Sequence, residues 1–122
     1  MATTTACRRT QRRHVTLGTD QASVEVAWPQ PSGPRHRLVL MDVSISGLSF
    51  TFEEELQGIE SGACLPETVI RLGKTEIHGE LVVIHVTPHT ENREVCGALF
   101  YAATDNDLVK WRAALSGIES VL

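Results

Sequence analysis

Along most of the chain apolar and polar residues alternate in short runs, and near the C-terminus the period changes. Residues 23–28 alternate cleanly and place Val24, Val26 and Trp28 on one face of a strand. Val15 and Leu17 begin a similar pattern that Gly18, Thr19 and Asp20 interrupt. Residues 29–34 hold three of the five prolines, with Ser32 and Gly33, and read as a loop. A strand over 37–43 follows, then a polar turn over 42–47. Leu48, Phe50 and Phe52 next alternate with Ser49 and Thr51. Residues 53–66 are polar and turn-rich, with room for one helical turn at 53–56. A short strand over 68–72 meets a tight hairpin at Gly73 and Lys74. Residues 75–86 are the longest β-prone run, and Gly79 is predicted to bulge or bend it. A loop over 88–92 leads to a last strand at 94–101, in which Gly97 permits close packing.

Then Leu108, Trp111, Leu115, Ile118 and Leu122 recur at spacings of three and four, the stripe of an amphipathic helix. Thr104 with Asp107 three residues on forms a capping box at its start. Six or seven short strands followed by one helix predict an all-β fold with a terminal helix. A small antiparallel barrel, closed or nearly so, leaves no long sheet edge exposed. The helix stripe is free to cover its own barrel or a second subunit.

Composition narrows the class. The 122 residues suffice for one domain, and 42% hydrophobic with 21% charged residues is ordinary for a globular chain. No apolar run reaches the roughly 20 residues of a membrane span, and Met1 to Thr5 contain no signal-like apolar stretch. Residues 1–6 read as a disordered tail. Cys7, Cys64 and Cys96 are odd in number and widely spaced, which suits a reducing cytoplasm rather than a disulfide framework. A net charge of −4 and only 5% aromatic residues argue against a general DNA or RNA binder.

Two stretches carry chemistry. Arg8, Arg9, Arg12 and Arg13 are four of the 11 basic Lys and Arg residues, gathered at the front of an acidic chain. Such a cluster asks for an anion. With no apolar period of its own it reads as an extended arm over 8–14, docking on a barrel of about 15–102. The other stretch is the turn Asp42-Val43-Ser44-Ile45-Ser46-Gly47. Its carboxylate accepts N–H groups, its hydroxyls donate or accept, and Gly47 is expected to supply a positive φ and leave room for a ligand. A carboxylate and hydroxyls held between two strands suit a guanine edge. His78, His85 and His89 do not make a metal set: His78 and His85 differ by an odd number and are predicted to face opposite ways on a strand. His85 is instead placed to stack on a base. Cys7 and Cys96 lack an oriented histidine, and no Gly-rich phosphate loop or catalytic carboxylate pair is present, so the chain does not read as an enzyme.

An RxxxR element near the N-terminus, then a strand, then DxSxxG, resembles a PilZ domain. The second motif is Asp42-Val43-Ser44-Ile45-Ser46-Gly47 without departure, and the first aligns as Arg9…Arg13 or as Arg8…Arg12, the former fitting the family's double arginine better. The resemblance runs from Arg8 through Gly79-Glu80-Leu81-Val82-Val83 and Gly97-Ala98-Leu99-Phe100 to the helix at about 105–120. It implies a six-stranded antiparallel β-barrel with a C-terminal α-helix, a domain over 7–122 that binds cyclic di-GMP. It implies a receptor without chemistry of its own and without a cofactor. Arg9 and Arg13 would be the main clamps, Arg8 a further contact, Asp42 a partner of a guanine N–H edge and Ser44 of a polar ligand group. Gly47 would permit the turn, and Ser46 is a weaker candidate. Adjacent Arg8 and Arg9 also leave an intercalated ligand dimer open. The expected partner is an effector protein, with the oligomeric state undecided between monomer and dimer. The rival reading is a barrel of the same fold that binds no nucleotide and regulates pilus or motility machinery by protein contact.

Overall fold

Alternation becomes strand and the 3.6-residue period becomes helix in a computed structural model that describes residues 13–14 and 22–121, with side chains described for residues 22–116. The elements are β1 (Arg13–His14), β2 (Ala22–Ala27), β3 (Arg35–Val43), β4 (Gly47–Phe52), β5 (Cys64–Leu72), β6 (Thr75–Thr90), β7 (Arg93–Ala102) and α1 (Asp105–Val121). Neighbours run β1-β3-β2-β5-β6-β7-β4, and β4 returns to β3. Six strands, β2 to β7, therefore close into an antiparallel barrel. Closure removes the open edge. β2 pairs with β3 only as far as Val39, and β1 takes up the same flank of β3 at Asp42 and Val43.

Every second side chain points inward. Val24, Val26, Leu40, Phe50, Ile70, Ile77 and Leu81 are fully buried. At one end of the barrel the loop after β4 folds Leu56 and Ile59 into the core, and Trp28 Nε1 donates to the Gln57 carbonyl at 3.0 Å. At the other end α1 lies over the start of β6 and the end of β7. Trp111 is buried and packs its ring on Phe100, with centroids 4.8 Å apart. Half of the predicted capping box forms, and the Asp107 carboxylate takes the Thr104 hydroxyl and a strand N–H instead of the Thr104 N–H. The Asp107 N–H donates to Thr104 Oγ1 at 3.1 Å, and Asp107 Oδ1 accepts the backbone N–H of His78 at 2.9 Å. The helix thus covers its own barrel.

Several expectations change. β5 begins at Cys64 rather than 68, because an extra residue at Pro66 and Glu67 lets the strand pass a proline as a bulge. β6 runs on to Thr90 through Pro88, with extra residues at Ile84 and His89. β3 begins two residues earlier, at Arg35. Gly79 is not the bulged residue. The bulge lies on the partner strand, and a Cβ at Gly79 would collide with the Phe100 ring. The 53–56 segment is a run of turns without a helix. In the helix the covered side is Asp107, Trp111, Ala114 and Leu115, while Leu108 is 37% exposed at its margin. The tail at 1–6, Val15, Leu17 and the side chain of Ile118 lie outside what is described.

Candidate functional site

The polar turn is a two-residue hairpin loop. Ser44 N–H donates to the Gly47 carbonyl at 2.8 Å, and Gly47 N–H donates back at 3.3 Å. Ile45 and Ser46 form its tip. Asp42 lies just before it, in β3 rather than in the turn, beside an extra residue at Met41 that shifts the register against β4. A bulge re-aims the side chain that follows it. Ser49 stands opposite Asp42 across the hairpin, and its hydroxyl donates to Asp42 Oδ2 at 3.1 Å. The carboxylate is therefore oriented by its neighbour strand. Ser44 Oγ lies 3.4 Å from Ser46 Oγ, so two hydroxyls share the turn.

Gly47 is required for a reason other than the one expected. Its φ is not positive. It is the first residue of β4, opposite Leu99 of β7, and a Cβ there would collide with the Ala98 carbonyl oxygen. The glycine lets two strands meet beneath the turn.

The turn opens on a pocket of about 70 Å³, lined among others by Asp42, Ser44, Ser46, Gly47, His85 and Gly97. That volume takes the edge of a base or a phosphate, not a whole dinucleotide. The exposed His85 ring lies against Gly97, where a Cβ would collide with it. The extra residue at Ile84 resets the alternation of β6. Val83 and Val86 both turn toward the core, so His78 and His85 share the outer face instead of facing opposite ways. Among the described residues no group of three His, Cys, Asp or Glu is placed to hold a metal. A larger groove of about 670 Å³ lies elsewhere, beside Arg35, Glu67 and His78. Its cationic groups are already engaged: Arg35 bonds Glu25 and the Glu67 carbonyl, and His78 meets Glu76. It offers no convergent set.

The last arginine of the run, Arg13, lies beside the strand that leads into the turn. Arg13 pairs with Val43 and His14 with Asp42, so β1 lies along the strand that ends in the DxSxxG turn. Arg8, Arg9 and Arg12 lie outside the described residues, as does the Arg13 side chain. The barrel thus brings position 13 next to position 42, which no local reading of either motif requires. Two residues escaped the sequence reading. Ser49 is legible only once the register of the hairpin is known. Trp111 was read as core or interface, yet its Nε1–H donates to the Ile45 carbonyl at 3.2 Å.

Neither described cysteine fits a nucleophile. Burial pushes the Cys96 thiol up to about 12, and Cys64 donates to Glu80 at 3.1 Å, which raises its pKa as well. Cys7 lies outside the described residues. No helix is long and apolar enough to cross a membrane among the described residues.

A six-stranded barrel closed by a C-terminal helix, with a DxSxxG hairpin at its rim, defines the PilZ-domain fold, and solved structures agree. The chain is similar to the PilZ domain of YcgR from Escherichia coli, solved with c-di-GMP. The TM-score is 0.72 at 13% identity, covering 89% of this chain and 88% of that one. MrkH of K. pneumonia in its c-di-GMP complex gives 0.70 at 19% identity, over 85% and 48%. MotI/DgrA, an inhibitor of motility from Bacillus subtilis, gives 0.63 at 17% identity, over 86% and 48%. The chain spans about half the length of the MrkH and MotI chains. No family model matches it, and no curated protein matches it in sequence.

Proposed function

We propose that the chain is a receptor for cyclic di-GMP, with no catalytic chemistry of its own, that signals to a partner protein. The observation that carries this reading is the register of β1 on β3, which pairs Arg13 with Val43 and His14 with Asp42. Cyclic di-GMP has two phosphates and two guanines. A guanidinium fork bonds a phosphate, or O6 and N7 of guanine, through two parallel N–H groups. Arg9 and Arg13 are the main clamps and Arg8 a further contact. Asp42, oriented by Ser49, accepts from a guanine N–H edge, and Ser44 bonds a polar ligand group. Gly47 keeps the turn seated on β7. Support also comes from structural neighbours solved with this nucleotide, YcgR and MrkH. Ligand orders the arm before Arg13 against the barrel, and the altered surface is what the partner reads. A few charged hydrogen bonds, less the cost of ordering the arm, suit a micromolar constant, about −8 kcal/mol.

Isothermal calorimetry tests this with cyclic di-GMP, and with cyclic di-AMP as the control for the guanine edge. The expected result is micromolar or tighter binding of the guanine ligand only, weakened at least tenfold in Asp42→Ala. The same titration counts ligands per chain and so separates a single ligand from an intercalated pair. No heat with folded protein would overturn the reading and leave the protein-contact module.

A further inference from the structure

The hairpin that carries the site has an unusual turn for its length. Two-residue hairpins favour turns with positive φ at one or both central residues, because these match the twist of the strands. Ile45 and Ser46 both keep negative φ. The loop is therefore held by groups outside it. The Ser46 carbonyl accepts the N–H of Phe100 at 3.0 Å, and the Ile45 carbonyl accepts the indole N–H of Trp111 at 3.2 Å. The first donor belongs to β7, the second to α1. Trp111 is 1% exposed and packs on that same Phe100. Its other role is thus to fix the tip of the turn whose flanks are Ser44 and Gly47.

We infer that Trp111 is a positioning residue for the binding turn, and that through it the seating of α1 and the ligand affinity of the site are linked. The inference rests on the nucleotide reading above for its ligand, and on the two bonds at the tip for its geometry. With the helix seated, Ile45 is drawn onto the barrel end and the Ser44 and Ser46 hydroxyls stay over the pocket. With the helix displaced, only the Phe100 bond remains and the tip is free to move. Linkage makes the effect reciprocal: ligand on the turn holds the helix down, and a partner that lifts the helix weakens the ligand.

The test compares Trp111→Phe, which keeps an aromatic ring on Phe100 and loses the N–H, with Ile59→Ala, which loosens the core at the far end of the barrel and leaves α1 and both bonds in place. The expected result is a cyclic di-GMP constant weakened about tenfold in Trp111→Phe, the scale of one hydrogen bond. Its melting temperature should fall less than that of Ile59→Ala, which should bind as the wild type does. Without ligand, amide exchange at Ser46 and Gly47 should quicken in Trp111→Phe while core strands keep their protection. In 15N-labelled wild type, the Trp111 indole N–H should exchange slowly and shift on saturation with ligand. If the wild type binds nothing, the nucleotide reading fails, and the ligand-free exchange still decides the positioning role. Unchanged exchange at 46 and 47 in Trp111→Phe would overturn the inference. So would affinity that follows melting temperature in both variants.

Discussion

Single atoms decide the site. Asp42 was legible as a candidate from its motif, but its orientation depends on Ser49, seven residues on in sequence and directly opposite in the hairpin. Ser49→Ala is expected to cost about 1 kcal/mol of stability while weakening the ligand several-fold, checked by urea unfolding beside calorimetry. Equal affinity in the variant would mean that Asp42 needs no such support. Gly47 was also legible, though for the wrong reason. A sequence can ask for a glycine but does not say whether φ or a neighbouring strand demands it. Here the Ala98 carbonyl demands it. Gly47→Ala is expected to force β4 away from β7 and cost about 2 kcal/mol or more. A glycine needed only for backbone freedom would not disturb β7, so protected amides at 97–99 in the alanine variant would contradict this account.

At the scale of elements, the change of period separated strands from helix correctly, and the capping box fixed where α1 begins. The bulges were what sequence patterns could not show. One extra residue at Ile84 reversed the facing of everything after it, which is why His85 joins the outer face with His78. Another at Pro66 and Glu67 let β5 continue through a proline that reads as a strand breaker. Bulges answer to the curvature of a closed barrel, a property of all strands together. Leu108 belonged to the apolar stripe by spacing, but Asp107 takes the buried place because it caps the helix and accepts from β6. Asp107→Ala is therefore expected to remove two anchors of α1 and cost about 1–2 kcal/mol, measured by thermal unfolding. Asparagine at this position should recover part of the loss.

On the scale of the whole molecule, a chain of charges crosses four neighbouring strands of the barrel. Arg35 of β3 meets Glu25 of β2 at 2.7 Å, Glu25 meets Arg71 of β5 at 2.9 Å, and Arg71 meets Glu76 of β6 at 3.3 Å. Arg35 beside Glu25, with help from Arg71, holds that carboxyl below its usual range. The His78 N–H, then Thr104, does the same for Asp107. Both groups release their protons more readily folded than unfolded. As pH falls, the unfolded chain binds protons first. The stabilisation they give is therefore complete above the usual carboxylate range and drains away as pH drops through about 4. Urea midpoints should hold between pH 7 and 5.5 and fall between 5 and 3, and Glu25→Gln should flatten that fall. An unaltered slope would show that this chain of charges contributes nothing, as exposed pairs often do. Closure of the barrel through β3 and β4 was legible in outline from strand number. That β1 would pair on β3 and set Arg13 beside Val43 and Asp42 was not, since a two-residue strand carries no alternation of its own.

The most direct measurement is calorimetry of cyclic di-GMP into the wild type and into Arg9→Ala/Arg13→Ala. The account predicts a micromolar or tighter constant in the wild type and no measurable binding in the double variant, with both proteins folded. Binding that survives the double substitution would contradict the arginine clamp, and a folded wild type that binds nothing would contradict the receptor itself.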